Sequence, residues 1–278
     1  MKDIKLGFIN YTNTVPIYYG LLTGKITFEG KLIKDVPGKL NKLLKSGELH
    51  ISPVSSIEYA RNQKYYYLLN NFCINSKGYV RSVILVSKVP IEELNRKKIG
   101  LTPASETSKI LLKILLTDYF HFTPLYIELK NTYLTEEKPD AALLIGDDAL
   151  NFKNPDYPYC FDLGELWREK TSLPVVFALW AIRRDFADKW PEKVHYVEKL
   201  LEKSYKLGLS DPEGIVNLST SMCAKPVCTL EEYYKHLGYR FTEEYQKALL
   251  IFYKKASRLG FCKECKKLDF FLLPDLKQ

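Results

Sequence analysis

Histidine is scarce in this 278-residue chain. His50, His121, His195 and His236 lie far apart, and none stands in an H-E-x-x-H spacing, so a helix-borne zinc hydrolase has no signature here. Long apolar runs are also missing. Nothing approaches the about 18 consecutive apolar residues of a membrane-crossing helix, and the opening MKDIKLGFINYTN turns polar before a secretory apolar segment develops. A cytoplasmic protein is therefore expected, with no membrane partner. Neither G-x-G-x-x-G nor G-x-x-x-x-G-K-[ST] occurs, which removes the usual cradles for nucleotide phosphates, and no G-x-S-x-G elbow offers a hydrolase nucleophile. Linkers rich in glycine, serine or proline, low-complexity tracts and fixed-period repeats are absent as well.

What remains is the composition of a globular α/β protein, 46% hydrophobic and 27% charged. The formal charge is +8, but lysines and arginines alternate with carboxylates along the chain. No basic stripe with interleaved aromatics marks a nucleic-acid surface. The excess instead gives a weak field favouring small anions. Six cysteines are present: Cys73, Cys160, Cys223, Cys228, Cys262 and Cys265. MCAKPVC and FCKEC bring four thiols that could hold a structural zinc or pair reversibly. The wide separation, the longer first spacing and the helical context favour unpaired thiols or a disulfide, and no metal is expected.

Strand patterns alternate with helix patterns. Ile4 to Ile9 reads as a buried strand, with Pro16 in the first turn of the next helix. LIKDVPGKLNKLLKSGEL gives a strand and then a helix that starts near Pro37 and stops at Gly47. HISPVS, VRSVILVS, KKIGL, PDAALLIG and LPVVFALWAI read as further strands, so a mostly parallel sheet is expected. Beyond Arg184 the pattern turns helical. HYVEKLLEKSYKLG, TLEEYYKHLG and TEEYQKALLIFYKKASRLG carry apolar residues three and four apart, as helices packing on an earlier sheet would. The two long strands near 80–88 and 174–182 bracket a compact segment. This predicts a discontinuous first lobe of residues 1–87 and 183–278, with a helical C-terminal part, and an inserted α/β lobe of residues 88–182, with a hinged cleft between them.

Polar groups gather at the strand-to-helix junctions, where open α/β sheets bind ligands. They include Asn10, Thr12, Asn13 and Thr14; Ser55 and Ser56; Ser82; Thr102, Ser105, Thr107 and Ser108; and Asp147 with Asp148. Each has a local explanation. Thr12, Asn13 or Thr14 could cap a helix, the two aspartates could charge a helix N-terminus, and Ser82 could bond its neighbours. Collectively they are richer in hydroxyls and amides than capping requires. Neutral donors at helix N-termini bind carboxylates without arginine.

In order and spacing, GFINYTNTVPIYYGL, SGELHISPVSSIEYARN, VRSVILVSKVPIEEL, IGLTPASETSKILLKILL, PDAALLIGDDAL and DLGELWREKTSLPVVFALWAIR resemble the chorismate dehydratases of the futalosine route to menaquinone. The resemblance runs from about residue 5 to residue 184, and the helical tail agrees only in character. It implies the fold of type II periplasmic binding proteins, two α/β lobes around a central cleft. It also implies dehydration of chorismate to 3-(1-carboxyvinyloxy)benzoate by a hydro-lyase without metal or organic cofactor. A monomer or homodimer is expected. Asn13 and Ser82 match active-site positions of that family. Under this resemblance Ser55 and Ser56 would hold one substrate carboxylate, and Thr107 and Ser108, with Ser105 beside them, the other. The proton would pass to the substrate's own enolpyruvyl carboxylate, with Asp147 as the second candidate for acid or base. Two other readings stay open: a solute-binding protein for a small anion, and the related dihydroxynaphthoate synthase of the same pathway, whose opening motif differs.

Overall fold

The computed structural model describes residues 1–130, 134, 138–223, 226 and 229–273. Its strands are β1 (Lys5–Ile9), β2 (Lys31–Asp35), β3 (Ile51–Ser55), β4 (Tyr66–Ser76), β5 (Val83–Ser87), β6 (Lys98–Leu101), β7 (Leu125–Glu128), β8 (Ala141–Ile145), β9 (Tyr159–Asp162), β10 (Val175–Arg183) and β11 (Gly238–Arg240). They form two sheets, ordered β11-β4-β10-β3-β1-β2 and β7-β6-β8-β5-β9. The helices are α1 (Val15–Leu22), α2 (Pro37–Ser46), α3 (Ser56–Asn62), α4 (Glu106–Ile114), α5 (Gly146–Asn151), α6 (Leu163–Thr171), α7 (Arg184–Lys189), α8 (Pro191–Leu209), α9 (Pro212–Met222), α10 (Leu230–Lys235) and α11 (Glu243–Arg258).

Local chemistry explains the best-defined elements. Pro16 and Pro37 sit in the first turns of α1 and α2, where a missing N–H costs nothing. Gly47 ends α2 in the left-handed region at φ 87°, which an L side chain avoids. Tyr18 anchors α1 to the sheet: its hydroxyl donates to the Gly7 carbonyl at 2.8 Å and accepts from Trp180 Nε1 at 2.9 Å. The helical tail packs as its periodicity predicts. Val194, Val197 and Leu201 of α8 join Ile17 of α1 and Trp180 in one buried cluster.

Three expectations need correction. The sheets are mixed, not mostly parallel: β1 runs parallel to β2 and β3, but β10 is antiparallel to both β3 and β4. In the second sheet, β6 runs parallel to β7 and β8, whereas β5 is antiparallel to β8 and β9. Strand β4, eleven residues long, had no counterpart in the sequence reading, and β11 adds a short strand after Arg184. The strand at 83–87 belongs to the second sheet and that at 175–183 to the first, the reverse of the division at 87/88 and 182/183. The chain therefore crosses between sheets over residues 77–82 and again over 172–174.

The first crossing is pinned by one buried carboxylate. Asp162 accepts from the amides of Val80 (3.0 Å) and Arg81 (2.6 Å) through Oδ2, and from Gly164 (2.9 Å) and Glu165 (3.0 Å) through Oδ1. Arg81 takes a left-handed φ of 64° there. The principal core is shared by both halves: Val54, Leu68 and Leu179 of the first sheet pack in the same cluster as Leu85, Leu101 and Leu143 of the second, with Leu249 and Phe252 of α11.

Candidate active site

Four helices begin where the two sheets face each other. The ends of β3, β6 and β8 lead into α3, α4 and α5, and β2 leads into α2. The narrow cleft they border has a cavity volume of about 50 Å³ and is lined by Pro37, Ser55, Ser105, Ser108 and Gly146 from these first turns, with Asn13 and Ser82 beside them. Peptide dipoles leave the start of a helix partly positive. Among the described residues no lysine, arginine or histidine lines this inner space.

Each predicted residue has a definite place. Asn13, on a short 3-10 turn over Thr12–Thr14, holds its carboxamide oxygen buried with no hydrogen-bond partner among the described residues. Ser55 precedes α3, yet its side chain makes no capping bond, and it faces the cleft. Ser82, 3% exposed, is fixed by its main chain: its N–H donates to the Val80 carbonyl and its carbonyl accepts from Gly146 N–H, both at 2.8 Å. Ser105 caps α4 by accepting from Ser108 N–H at 3.3 Å, and the two hydroxyls lie 3.0 Å apart. Asn13 and Ser55 thus come from the first sheet's side, and Ser82, Ser105 and Ser108 from the second's.

Ser56 and Thr107 do not line the cleft. Both are fully buried behind it, where Ser56 Oγ donates to the Val176 carbonyl at 2.9 Å and Thr107 Oγ1 accepts from Ile57 N–H at 3.1 Å. Residue 56 is already inside the helix, so its side chain leaves the face that Ser55 presents. Asp147 does not cap α5. Its Oδ1 accepts from Thr12 N–H (3.2 Å) and from Thr12 Oγ1 (2.7 Å), tying α5 to the opposite wall. Burial raises its pKa above the ordinary carboxylate value, and the Thr12 bonds counter part of that rise. Thr14 donates to the Ile9 and Tyr11 carbonyls, and Thr102 accepts from Ala104 N–H, so both serve their own turns.

Tyrosines supply what the sequence reading missed. The Tyr11 ring covers Gly146, whose φ of 59° would strain any side chain there. The Tyr233 hydroxyl donates to Ser82 Oγ at 2.9 Å, and Tyr234 donates to the Thr12 carbonyl at 2.8 Å. The only sequence signal was an adjacent YY in TLEEYYKHLG, which an amphipathic helix already explains. Outside the cleft, Tyr11 also borders an open groove lined by Lys39, Lys42 and Lys45.

Among the described residues Cys73, Cys160, Cys262 and Cys265 form no disulfide, and Cys228 lies outside them. Cys223 packs with Leu230 and Tyr233, whereas Cys265 belongs to the main core. Among the described residues no three histidines, cysteines or carboxylates gather as metal ligands, and no helix is long and apolar enough to cross a membrane.

A family model described as menaquinone biosynthesis matches residues 4–258. The chain belongs to this menaquinone biosynthesis family. Among curated relatives it is 35% identical to a protein named chorismate dehydratase from Thermus thermophilus, over 66% of this chain and 72% of that one. It is 31% identical to another of that name from Campylobacter jejuni, over 74% and 83%. A 1,4-dihydroxy-6-naphthoate synthase from Thermus thermophilus is 22% identical over 77% of each chain. Among solved structures, a protein from Archaeoglobus fulgidus superposes with a TM-score of 0.75 at 22% identity, over 93% of this chain and 98% of that one. The periplasmic aliphatic sulphonate binding protein of Escherichia coli gives 0.65 at 14%, over 96% of each. The fold of this family member is therefore that of periplasmic binding proteins.

Proposed function

We propose that the protein is a cytoplasmic chorismate dehydratase, a hydro-lyase that converts chorismate to 3-(1-carboxyvinyloxy)benzoate and water. The observation that carries this reading is the pairing of family membership with a cleft of neutral donors: Asn13 and Ser55 on one wall face Ser82, Ser105 and Ser108 on the other. Chorismate carries two carboxylates, and a two-walled site of hydroxyls and helix starts suits a doubly negative ligand. Ser55 with Asn13 would take one carboxylate, and Ser105 with Ser108 the other.

The reaction removes a proton from the ether-bearing ring carbon and the hydroxyl from its neighbour. The C–H electron pair becomes a ring double bond, the C–O bond breaks, and aromaticity makes the product side strongly downhill. Little acid–base strength is then required, and positioning dominates. The substrate's enolpyruvyl carboxylate takes the proton in this reading, while Asn13 and Ser82 orient it and stabilise the charge that develops. Asp147, with one oxygen held by Thr12, is the second candidate base.

Mixing the purified protein with chorismate and following absorbance and product mass tests the reading. Appearance of a product one water lighter supports it. Binding without conversion would favour a receptor for small anions, and inertness toward chorismate with turnover of the cyclic futalosine derivative would favour the sister synthase.

A further inference from the structure

We infer that Tyr233 is a positioning residue for Ser82, setting the direction in which that serine offers its proton; the inference rests on the dehydratase reading above. Tyr233 is fully buried and does not line the cleft, so it reaches the site through the serine rather than by touching a ligand. Its hydroxyl donates to Ser82 Oγ at 2.9 Å. A phenol is a stronger acid than an alkyl alcohol and holds the donor role. With an oxygen lone pair occupied, the Ser82 proton has to point elsewhere, and the cleft is the side on which Ser82 is open. A hydroxyl that accepts one bond also donates a stronger one.

The register between the two segments is fixed at neighbouring residues. Arg81 pairs with Glu232 at 2.7 Å, one step along both chains from the Ser82–Tyr233 bond. Thr229 Oγ1 caps α10 by accepting from Glu232 N–H at 3.2 Å, which holds that helix turn in place. The adjacent Tyr234 bonds the Thr12 carbonyl, and Thr12 in turn holds Asp147. Successive residues of one helix from the C-terminal tail therefore grip both walls of the site.

The test is steady-state turnover of chorismate by full-length wild type, Tyr233→Phe, Ser82→Ala and the double variant. Tyr233→Phe should lower kcat about tenfold while KM moves less than about twofold, because the lost bond acts on the serine's proton and not on ligand capture. In the Ser82→Ala background the same change should have almost no effect. Product affinity by calorimetry should stay within about twofold in Tyr233→Phe, as a bond that acts on the serine's proton and not on capture requires, and a large loss of affinity would overturn the inference. If Tyr233→Phe does not fold, 3-fluorotyrosine at position 233, a stronger acid, should alter kcat only where Ser82 is present. An unchanged kcat, or equal losses with and without Ser82, would overturn the inference alone. A wild-type protein inert toward chorismate would overturn the dehydratase reading, and this inference with it.

Discussion

Thr107 Oγ1 stands 3.2 Å from Ser56 Oγ, each hydroxyl fully buried and each in the first turn of a helix that follows a different sheet. The same Thr107 oxygen accepts the Ile57 amide proton, so one side chain closes a helix start on the opposite half. These two residues join the halves behind the cleft. Thr107→Val keeps the shape and removes the acceptor, leaving a buried N–H unmet. Unfolding free energy should fall by about 1–3 kcal/mol, measured by urea titration, while KM for chorismate stays within about twofold. A large rise in KM at unchanged stability would instead place Thr107 on the ligand.

Asn13 holds a buried oxygen at the cleft wall that no described residue pairs. Such a group costs stability unless a partner arrives, and the ligand is the partner in this account. Asn13→Ala should lower kcat about 100-fold and leave the melting temperature unchanged or slightly higher. A variant that melts much lower and turns over normally would assign Asn13 to the fold.

Asp147 makes the pH dependence specific. Burial lifts its carboxyl above the ordinary value of 3.8, Asp148 adds to the rise, and the Thr12 bonds oppose it. At pH below 3.8 the carboxyl is protonated in both folded and unfolded chains. As pH climbs from there through the raised folded value, the unfolded chain releases its proton first and folding stability declines. Asp162 and Glu58 shift the same way, so wild type alone reports their sum. The difference between Asp147→Asn and wild type isolates one group. It should move in favour of the variant across that window and level off above it. Parallel stability curves would contradict this. Loss of all turnover by Asp147→Asn at unchanged affinity would transfer the role of base from the substrate to Asp147.

Junction chemistry was legible in the sequence because it is local. The prolines in the first turns of α1 and α2, the Gly47 stop and the hydroxyl clusters at strand ends all depend on near neighbours. The pairing of strands was not. The strands at 83–87 and 175–183 are equally apolar, and nothing within them says which sheet each joins. Strand β4 was hidden because YYLLNNFCINS places asparagines among its apolar residues, two of them only partly buried or exposed at its middle. Ser55 and Ser56 look equivalent in sequence. One ends a strand facing the cleft and the other begins a helix facing the joint, a distinction that only backbone direction creates. Tyr233 came from about 150 residues away, and its contact with Ser82 depends on where the helical tail docks.

The measurement that bears most directly on the central claim is a crystal structure with 3-(1-carboxyvinyloxy)benzoate bound. The account predicts its carboxylates within hydrogen-bond distance of Ser55 or Asn13 on one wall and of Ser105 or Ser108 on the other, with Ser82 beside the enolpyruvyl carboxylate that Asn13 holds. Product seated instead in the outer groove against Lys39, Lys42 and Lys45, with the inner hydroxyls untouched, would contradict it.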